Sequence, residues 1–379
     1  MHRAASAAVR ISSAAVYPIL TAVNLWVLEL ALTAVNHPPN AIAWWLLWGV
    51  FYLVLIAARN ISHTRPGQWI GTLRTYAFSV HPVLIYASAP GLALMIALSR
   101  IWDGGIFTAG IATLLLQFAA LTAAVYGFIH ARKLHLHAFA VKTAKCLPHG
   151  TLTIVHLSDL HLGYIQNDRF IRNLVRRVNS LTPDLICITG DTFSDTLRPI
   201  RVPFETADRL SKLRARYGVY ACLGNHDAGE ADKMTAFFER AHIRVLEDDA
   251  LFPAPNIALI GRADATPGGV RMRRASIGEC MIGTDPLQYR IVLDHQPRDI
   301  SAIAERGADL LLSGHTHGGQ FFPVTLAIRR RFRCYSGEYR YGNLRVIVST
   351  GSGAGSPPIR IGTRGEIGVI TVRQMSQYD

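Results

Sequence analysis

Five short segments of the chain end in residues that can bind a metal ion or move a proton. They are His156-Leu157-Ser158-Asp159-Leu160-His161, Gly190-Asp191, Gly224-Asn225-His226-Asp227, Asp294-His295-Gln296-Pro297 and Gly314-His315-Thr316-His317. Carboxylate, amide and imidazole groups together make a mixed oxygen and nitrogen donor set, suited to Mn, Fe, Zn, Co or Ni better than to Ca. Asp-x-His at the end of a strand sends a carboxylate and an imidazole toward one point. Any one of these segments is weak evidence: His295 alone reads as a core histidine, and Gly-His-Thr-His alone as a turn. The force of the pattern lies in its repetition, because each segment directly follows an apolar run.

Those runs define the elements that must position the donors. Leu152–Leu157 is the first core strand of this part, and Asp168–Leu181 reads as an amphipathic helix with Phe170, Leu174 and Val178 on one face. Leu185–Thr189 is a strand ending at Gly190-Asp191. Phe204–Tyr217 is a helix, Val219–Leu223 a strand ending at Gly224, and Lys233–Ala241 a helix. Arg244–Leu246 and Ile257–Ile260 are short strands. Arg290–Leu293 and Leu310–Leu312 are strands with the helix Ile300–Arg306 between them, and Leu344–Ser349 and Gly368–Val372 are late strands. Strands alternating with helices indicate an α/β fold, in which ligands gather in the loops at strand ends. Gly190, Gly224 and Gly314 precede donors and permit tight turns there.

Composition divides the chain. Residues 1–130 hold six Arg and two acidic residues (Glu29 and Asp103), leaving 33 of 39 Lys+Arg and 24 of 26 Asp+Glu to the rest. Four apolar stretches of spanning length lie in this first part: about Ile11–Val35, Ala41–Ala58, Ala77–Leu98 with Pro82 and Pro90 inside it, and Ile106–Ile129. They are too many and too long for a signal peptide. Arg3 and Arg10, then Arg59, Arg65 and Arg74, then Arg132 and Lys133 alternate with loops of little net charge. This places both soluble ends on the cytoplasmic side. The expected organisation is a transmembrane region of about four helices (1–130), a linker and first strand (131–150) and a catalytic domain (151–379). Leu134, Leu136 and Ala138 alternate as that first strand. Glu29 faces the bundle interior and pairs with a polar neighbour, or else lines a transport or lipid pathway. The net charge of +13 fits an anionic membrane face or an anionic substrate, and no nucleic-acid motif is present. Cys146, Cys187, Cys222, Cys280 and Cys334 are odd in number and far apart, so free thiols in a reducing compartment are expected.

The ordered series Asp-x-His, Gly-Asp, Gly-Asn-His-Asp, lone His and Gly-His-Thr-His resembles that of the calcineurin-like metallophosphoesterases, from about residue 150 to the C-terminus. The tail Ser349-Thr350-Gly351-Ser352-Gly353 with Pro357-Pro358-Ile359-Arg360, and the Asp-His-Gln-Pro block, are most similar to a bacterial membrane-associated branch that includes UDP-diacylglucosamine pyrophosphatases. The resemblance implies a four-layer α/β/β/α sandwich, here preceded by an α-helical transmembrane bundle in the bacterial inner membrane. It implies two divalent ions, with manganese favoured. Asp159, His161 and His317 would hold the first ion, and Asn225, His295 and His315 the second. Asp191 would bridge both. His226 would face the phosphate with Asp227 behind it. The likeness carries Asp191 but not Asp195. Paired ions clamp a phosphoryl group and lower the pKa of a bridging water, so that a bridging hydroxide attacks phosphorus while His226 protonates the leaving oxygen.

The substrate expected is a phosphoester or pyrophosphate of a lipid or nucleotide-linked lipid. Alternatives are a broad or cyclic-nucleotide phosphodiesterase and, from another class, a membrane sensor or transporter regulated by a metal-binding domain. The apolar loop Phe321–Ile328, followed by Arg329, Arg330, Arg331 and Arg333, reads either as a packed loop with a solvated basic face or as a lip resting on the bilayer. Arg271, Arg273 and Arg274 form a second basic cluster.

Overall fold

The computed structural model describes residues 19–57, 65–194, 200, 203–227, 231–264 and 274–376. Arg3, Arg10, Arg59, Asp195, Arg271, Arg273 and the start of the first apolar stretch lie outside them. The chain divides into two compact units, 1–129 with 356–359, and 130–355 with 360–379.

The first unit contains helices α1 (Ile19–Ala34), α2 (Ala41–Ala57), α3 (Arg65–Leu98) and α4 (Gly105–His130). Trp69–Leu98 and Gly105–His130 are long and apolar enough to cross a membrane, while Ile19–Ala34 and Ala41–Phe51 are apolar but shorter. Helix α3 starts at Arg65, before the Ala77 expected from hydropathy, and runs unbroken through Pro82 and Pro90. Large apolar side chains stand exposed along these helices, among them Ile42, Leu46, Leu47, Leu115 and Phe118. An apolar surface of that extent suits a hydrocarbon solvent. Small residues close the interior: Gly110 packs against Ala34, and Gly91 against Thr113. Asn24, Ser88 and Gln117 form a buried chain of hydrogen bonds, Ser88 Oγ donating to Asn24 Oδ1 at 2.6 Å and Gln117 Nε2 to Ser88 Oγ at 2.8 Å. Glu29 is half-buried and accepts from the Trp45 indole at 3.0 Å.

The second unit is built on β1 (Leu134–Thr143), β2 (Thr151–Leu157), α5 (Asp168–Asn179), β3 (Leu185–Thr189), α6 (Pro203–Leu210), β4 (Val219–Cys222), α7 (Ala231–Arg240) and β5 (Arg244–Val245). It continues through β6 (Asp249–Ala254), β7 (Ile257–Gly261), α8 (Ile277–Cys280), β8 (Tyr289–Leu293), α9 (Ile300–Glu305), β9 (Leu310–Ser313), α10 (Val324–Arg331), β10 (Gly337–Tyr341), β11 (Leu344–Val348) and β12 (Gly365–Gln374). The strands form two six-stranded mixed sheets, ordered β1-β12-β2-β3-β4-β5 and β10-β11-β9-β8-β7-β6.

Alternation along the strands makes three cores and four layers. Leu152 and Ile154 of β2, Cys187 of β3, and Ile291 and Leu293 of β8 meet in the core between the sheets. Val155, Leu157 and Ile186 face the other way, onto Leu174 and Val178 of α5 and Phe237 of α7. Ile260, Val292 and Leu311 of the second sheet cover Ile277 and Ile303 of α8 and α9. Burying each such side chain contributes about 1.5–3 kcal/mol. The architecture is therefore the expected α/β/β/α sandwich, preceded by a helical bundle. All five cysteines are free.

Two local expectations change. The helix expected over Phe204–Tyr217 stops at Leu210, because beyond it Arg216 and Tyr217 give their amides to Pro183 O and Asp184 O instead of to a helical turn. The apolar loop after Gly-His-Thr-His contains a helix, α10.

The first strand pairs in parallel with the last, β1 with β12. His137 Nδ1 lies 3.0 Å from Glu366 Oε2 across that pair. Its hydrogen bond to Glu366 raises the His137 pKa. Burial pushes Glu366 up, but His137 and the Thr350 amide outweigh it and hold the carboxyl below its ordinary range. The histidine's contribution to stability is complete below its ordinary value of 6.5 and fades as pH rises through the raised pKa. The carboxylate's contribution is complete above 4.5 and fades as pH falls through the lowered one. In urea unfolding of wild type and His137→Gln, the stability gap should be widest between about pH 4.5 and 6.5 and narrow above that window. A gap independent of pH would contradict this pairing.

Candidate metal centre

The structure brings all seven sequence-predicted donors together, at the ends of β2, β3, β4, β8 and β9. Asp159 and His161 follow β2, Asp191 follows β3, Asn225 follows β4, His295 follows β8, and His315 and His317 follow β9. Two groups could each hold a metal ion: Asp159, His161 and His317, and Asp191, His295 and His315. In the first, His161 Nε2 lies 3.0 Å from His317 Nε2, which lies 3.4 Å from Asp159 Oδ1. In the second, His315 Nδ1 lies 3.3 Å from His295 Nε2 and 2.9 Å from Asn225 Oδ1, and His295 Nε2 is 3.2 Å from the same amide oxygen. Donor atoms bonded to one cation at about 2.0–2.1 Å stand roughly 2.9–3.4 Å from each other. Asp191 joins the groups, its Oδ2 lying 3.3 Å from His295 Nε2 and 3.8 Å from His161 Nε2.

The backbone is strained where the donors sit. Asp159, His161, Asp191, His315 and His317 all have positive φ, between 44° and 70°. Non-glycine residues adopt that region at a cost and cluster there at functional sites. Cross-linked loops hold them. Asp159 N donates to Gly190 O at 3.0 Å, His161 N to Asp191 O at 3.0 Å, and Gly314 N to His295 O at 2.9 Å. The loop after β11 closes the ring, with Ser352 N donating to Ser158 O and Gly353 N to Asp159 O. Phe193 anchors the Asp191 loop in the core, edge-on to Phe237 at 4.9 Å and to Phe238 at 5.7 Å.

The glycines serve space more than turning. Of Gly190, Gly224 and Gly314, only Gly190 has positive φ. A Cβ on Gly224 would collide with the Asp191 carboxylate, one on Gly314 with Ser158 and Asp159, and one on Gly190 with the His295 ring. Each Gly-donor pair therefore leaves room for a donor of another segment.

Electrostatics favour the ligating forms of His315, His317 and Asp191, but not those of Asp159 and His295. Burial lowers His315 to about 4, and His295 adds to the effect. Burial, then His161 and Arg360, hold His317 well below its ordinary value. Neutral imidazole is the form that binds metal. Burial opposes the Asp191 carboxylate, but His295, His161 and His226 outweigh it and keep it ionised. Burial drives Asp159 up to about 6, and Asp191 adds repulsion. His295 Nδ1 donates to Thr189 O at 2.9 Å, a link between the two sheets that turns Nε2 toward Asp191 and Asn225; burial opposes its charged form, but Asp191 outweighs it and raises the His295 pKa well above its ordinary value.

His226 lies beside the donors, its ring 5.3 Å from that of His161 and its backbone amide 2.9 Å from Asp191 Oδ1. Asp227 is fully buried and accepts from Gly224 N at 2.8 Å and Phe193 N at 3.0 Å, bracing the turn that carries Asn225 and His226. Burial and the nearby Asp191 raise its pKa to about 7.

Several supporting roles are not legible in the sequence, although Asp294, Arg274 and Arg360 stand in segments that it singles out. Ser158 Oγ touches Asp159 Oδ2 and Thr189 O. Arg360 is fully buried and gives Nη2 to the carbonyls of Thr350 at 2.6 Å and Gly353 at 2.7 Å, behind His317. Asp294, just before His295, is buried against Arg262 and Arg274. Arg360 stands in a segment that the sequence does single out, but its partners are backbone carbonyls brought near only by folding. Nothing in the sequence links Arg262 to Asp294.

A model of the calcineurin-like phosphoesterase family matches residues 152–319. An uncharacterized metallophosphoesterase of Aquifex aeolicus is 31% identical over 265 residues, covering 68% of this chain and 98% of its own. A Danio rerio transmembrane protein with metallophosphoesterase domain is 26% identical over 370 residues, covering 86% of this chain and 80% of its own. The chain belongs to the calcineurin-like phosphoesterase family. It is a metal-dependent phosphoesterase.

Gly224→Ala tests the spatial argument. Its Cβ should displace Asp191 and weaken metal affinity by about 10–100-fold, the usual loss when a ligand's support is disturbed. Circular dichroism should show the fold retained, while metal titration reads the loss. Unchanged affinity would refute the packing argument.

Proposed function

We propose that this chain is an integral membrane phosphoesterase that cleaves a phosphoester or pyrophosphate bond in a lipid or nucleotide-linked lipid. Asp159, His161 and His317 would hold one divalent ion and Asn225, His295 and His315 the other, with Asp191 shared by both groups. The observation that carries the reading is the position of Asp191 Oδ2, within 3.8 Å of a ring nitrogen from each group. When bound, two divalent ions supply Lewis acidity toward the phosphoryl oxygens and a water acidified toward neutral pH.

The chain's own residues do the rest. The Asp191 carboxylate stays ionised and is oriented by the His226 amide. The His226 ring, held next to His161, presents a proton to the oxygen that leaves phosphorus. Asp227 keeps that histidine in place through the turn it braces. The Arg262–Asp294–Arg274 cluster fixes the end of β8 and hence His295.

Residues 1–130 are the membrane region of about four helices, 131–150 the linker and first strand, and 151–379 the catalytic domain. The exposed apolar faces of α2 and α4 support this, as does the name of the Danio rerio relative. The alternation of arginine-bearing and weakly charged loops supports a cytoplasmic catalytic domain in the bacterial inner membrane. Manganese is the favoured metal.

Purified full-length protein stripped by a chelator should lose hydrolysis and regain it with Mn²⁺. Asp191→Asn should lower kcat by about 10³-fold or more, the scale of losing a group that stabilises the transition state directly. On a panel of detergent-solubilised lipid phosphates and soluble phosphodiesters, kcat/KM should favour the lipids. Turnover confined to soluble phosphodiesters would reject the lipid substrate, and chelator-resistant turnover would reject the metal reading.

A further inference from the structure

The element that follows Gly-His-Thr-His is at odds with a water-facing surface. Helix α10 has no buried residue, although Val324, Leu326, Ala327 and Ile328 belong to it. Phe322, just before it, is 67% exposed and Leu326 is 43% exposed. Arg329, Arg330, Arg331 and Arg333 follow within a few residues, and all are exposed. No Asp or Glu occurs from Leu310 to Gly337. Among the described residues none of these four arginines has a carboxylate partner. Three instead lie over aromatic rings, Arg329 over Tyr335 at 5.4 Å, Arg331 over Phe332 at 5.9 Å and Arg333 over Tyr341 at 5.8 Å. A guanidinium resting on a ring keeps its N–H edge free for a phosphate.

The helix is also fastened to the metal centre at both ends. Gly319, two residues after His317, packs directly on the backbone of Thr325. Phe332, at the other end, sets its ring 5.8 Å from the ring of His315, edge to face. Whatever holds α10 therefore holds the segment that carries His315 and His317.

We propose that residues 322–333 are an interfacial lip that docks on an anionic phospholipid leaflet. Phe322 and Leu326 enter the boundary between headgroups and acyl chains, and the four arginines engage lipid phosphates. Apolar side chains next to unpaired cations are what an anionic bilayer surface selects, whereas a soluble polyanion has no use for an exposed Phe and Leu. Each arginine near such a surface strengthens attachment by about fivefold. The lip brings headgroup phosphates to the rim formed by His315 and His317. This rests on the membrane-enzyme reading above, and deepens it by assigning the surface through which the catalytic domain meets its substrate.

The test uses the full chain in lipid nanodiscs, so the helical region remains in place throughout. Leu326→Cys carries a spin label, in a Cys146→Ser background because Cys146 is an exposed thiol. Collisions with oxygen report lipid, and collisions with a nickel chelate report water. In discs of phosphatidylcholine with phosphatidylglycerol the label should become oxygen-accessible and shielded from nickel. In phosphatidylcholine alone it should stay in water. Arg329→Gln/Arg330→Gln/Arg331→Gln should abolish the shielding in anionic discs. The same triple variant should hydrolyse bis(4-nitrophenyl) phosphate at the wild-type rate, since that soluble substrate needs the metal centre and not the lip. A label that stays in water in both discs overturns the proposal. So does shielding that survives the triple variant, or nickel shielding produced equally by added heparin. If wild type fails to hydrolyse the soluble diester while the label still enters the lipid, the catalytic reading fails and the lip stands.

Discussion

The structure depends on a concentration of like and unlike charge that the protein alone satisfies poorly. Asp159 and Asp191 are buried side by side, among His161, His295, His315 and His317. Ring nitrogens approach one another to 3.0 and 3.3 Å. Removing carboxylates from water is expensive unless a partner of opposite charge comes with them. Two divalent cations would be such partners, and holding them would offset the cost of the left-handed backbone at five of the candidate donors. The strain is spread over loops whose amides and carbonyls are joined across segments, so no single loop can relax without moving the others.

The sandwich answers the need for rigidity. Donors from the first sheet are Asp159, His161, Asp191 and Asn225, and donors from the second are His295, His315 and His317. The centre therefore straddles the seam between the sheets, and the core between them fixes its dimensions. His295 makes this concrete, because its ring is clamped to Thr189 of the other sheet. The glycines complete the arrangement by omission, each leaving the volume that a neighbouring donor occupies.

Much of this was legible in the sequence because the donors are local and each follows a run of strand-forming residues. Position along the chain sufficed to place Asp191 after β3 and His315 after β9. What stayed hidden depends on contacts between distant segments. Arg360 looks like an ordinary basic residue until folding surrounds it with the carbonyls of Thr350, Gly351 and Gly353. The pairing of β1 with β12 joins residues more than two hundred positions apart, and no pattern in either strand announces it. Helix α10 read as a loop because its apolar run is short and follows Pro323, a position equally compatible with a turn. The helix expected after Phe204 was overextended because Leu213 continues the apolar pattern into backbone that bonds elsewhere.

If Asp191 joins two metal positions in one centre, electron paramagnetic resonance of the manganese-loaded protein should reveal it. At two Mn²⁺ per chain the spectrum should be that of two spin-coupled ions, and Asp191→Asn should remove the coupling. Saturation at one Mn²⁺ per chain, with only the six-line signal of an isolated ion, would contradict the account.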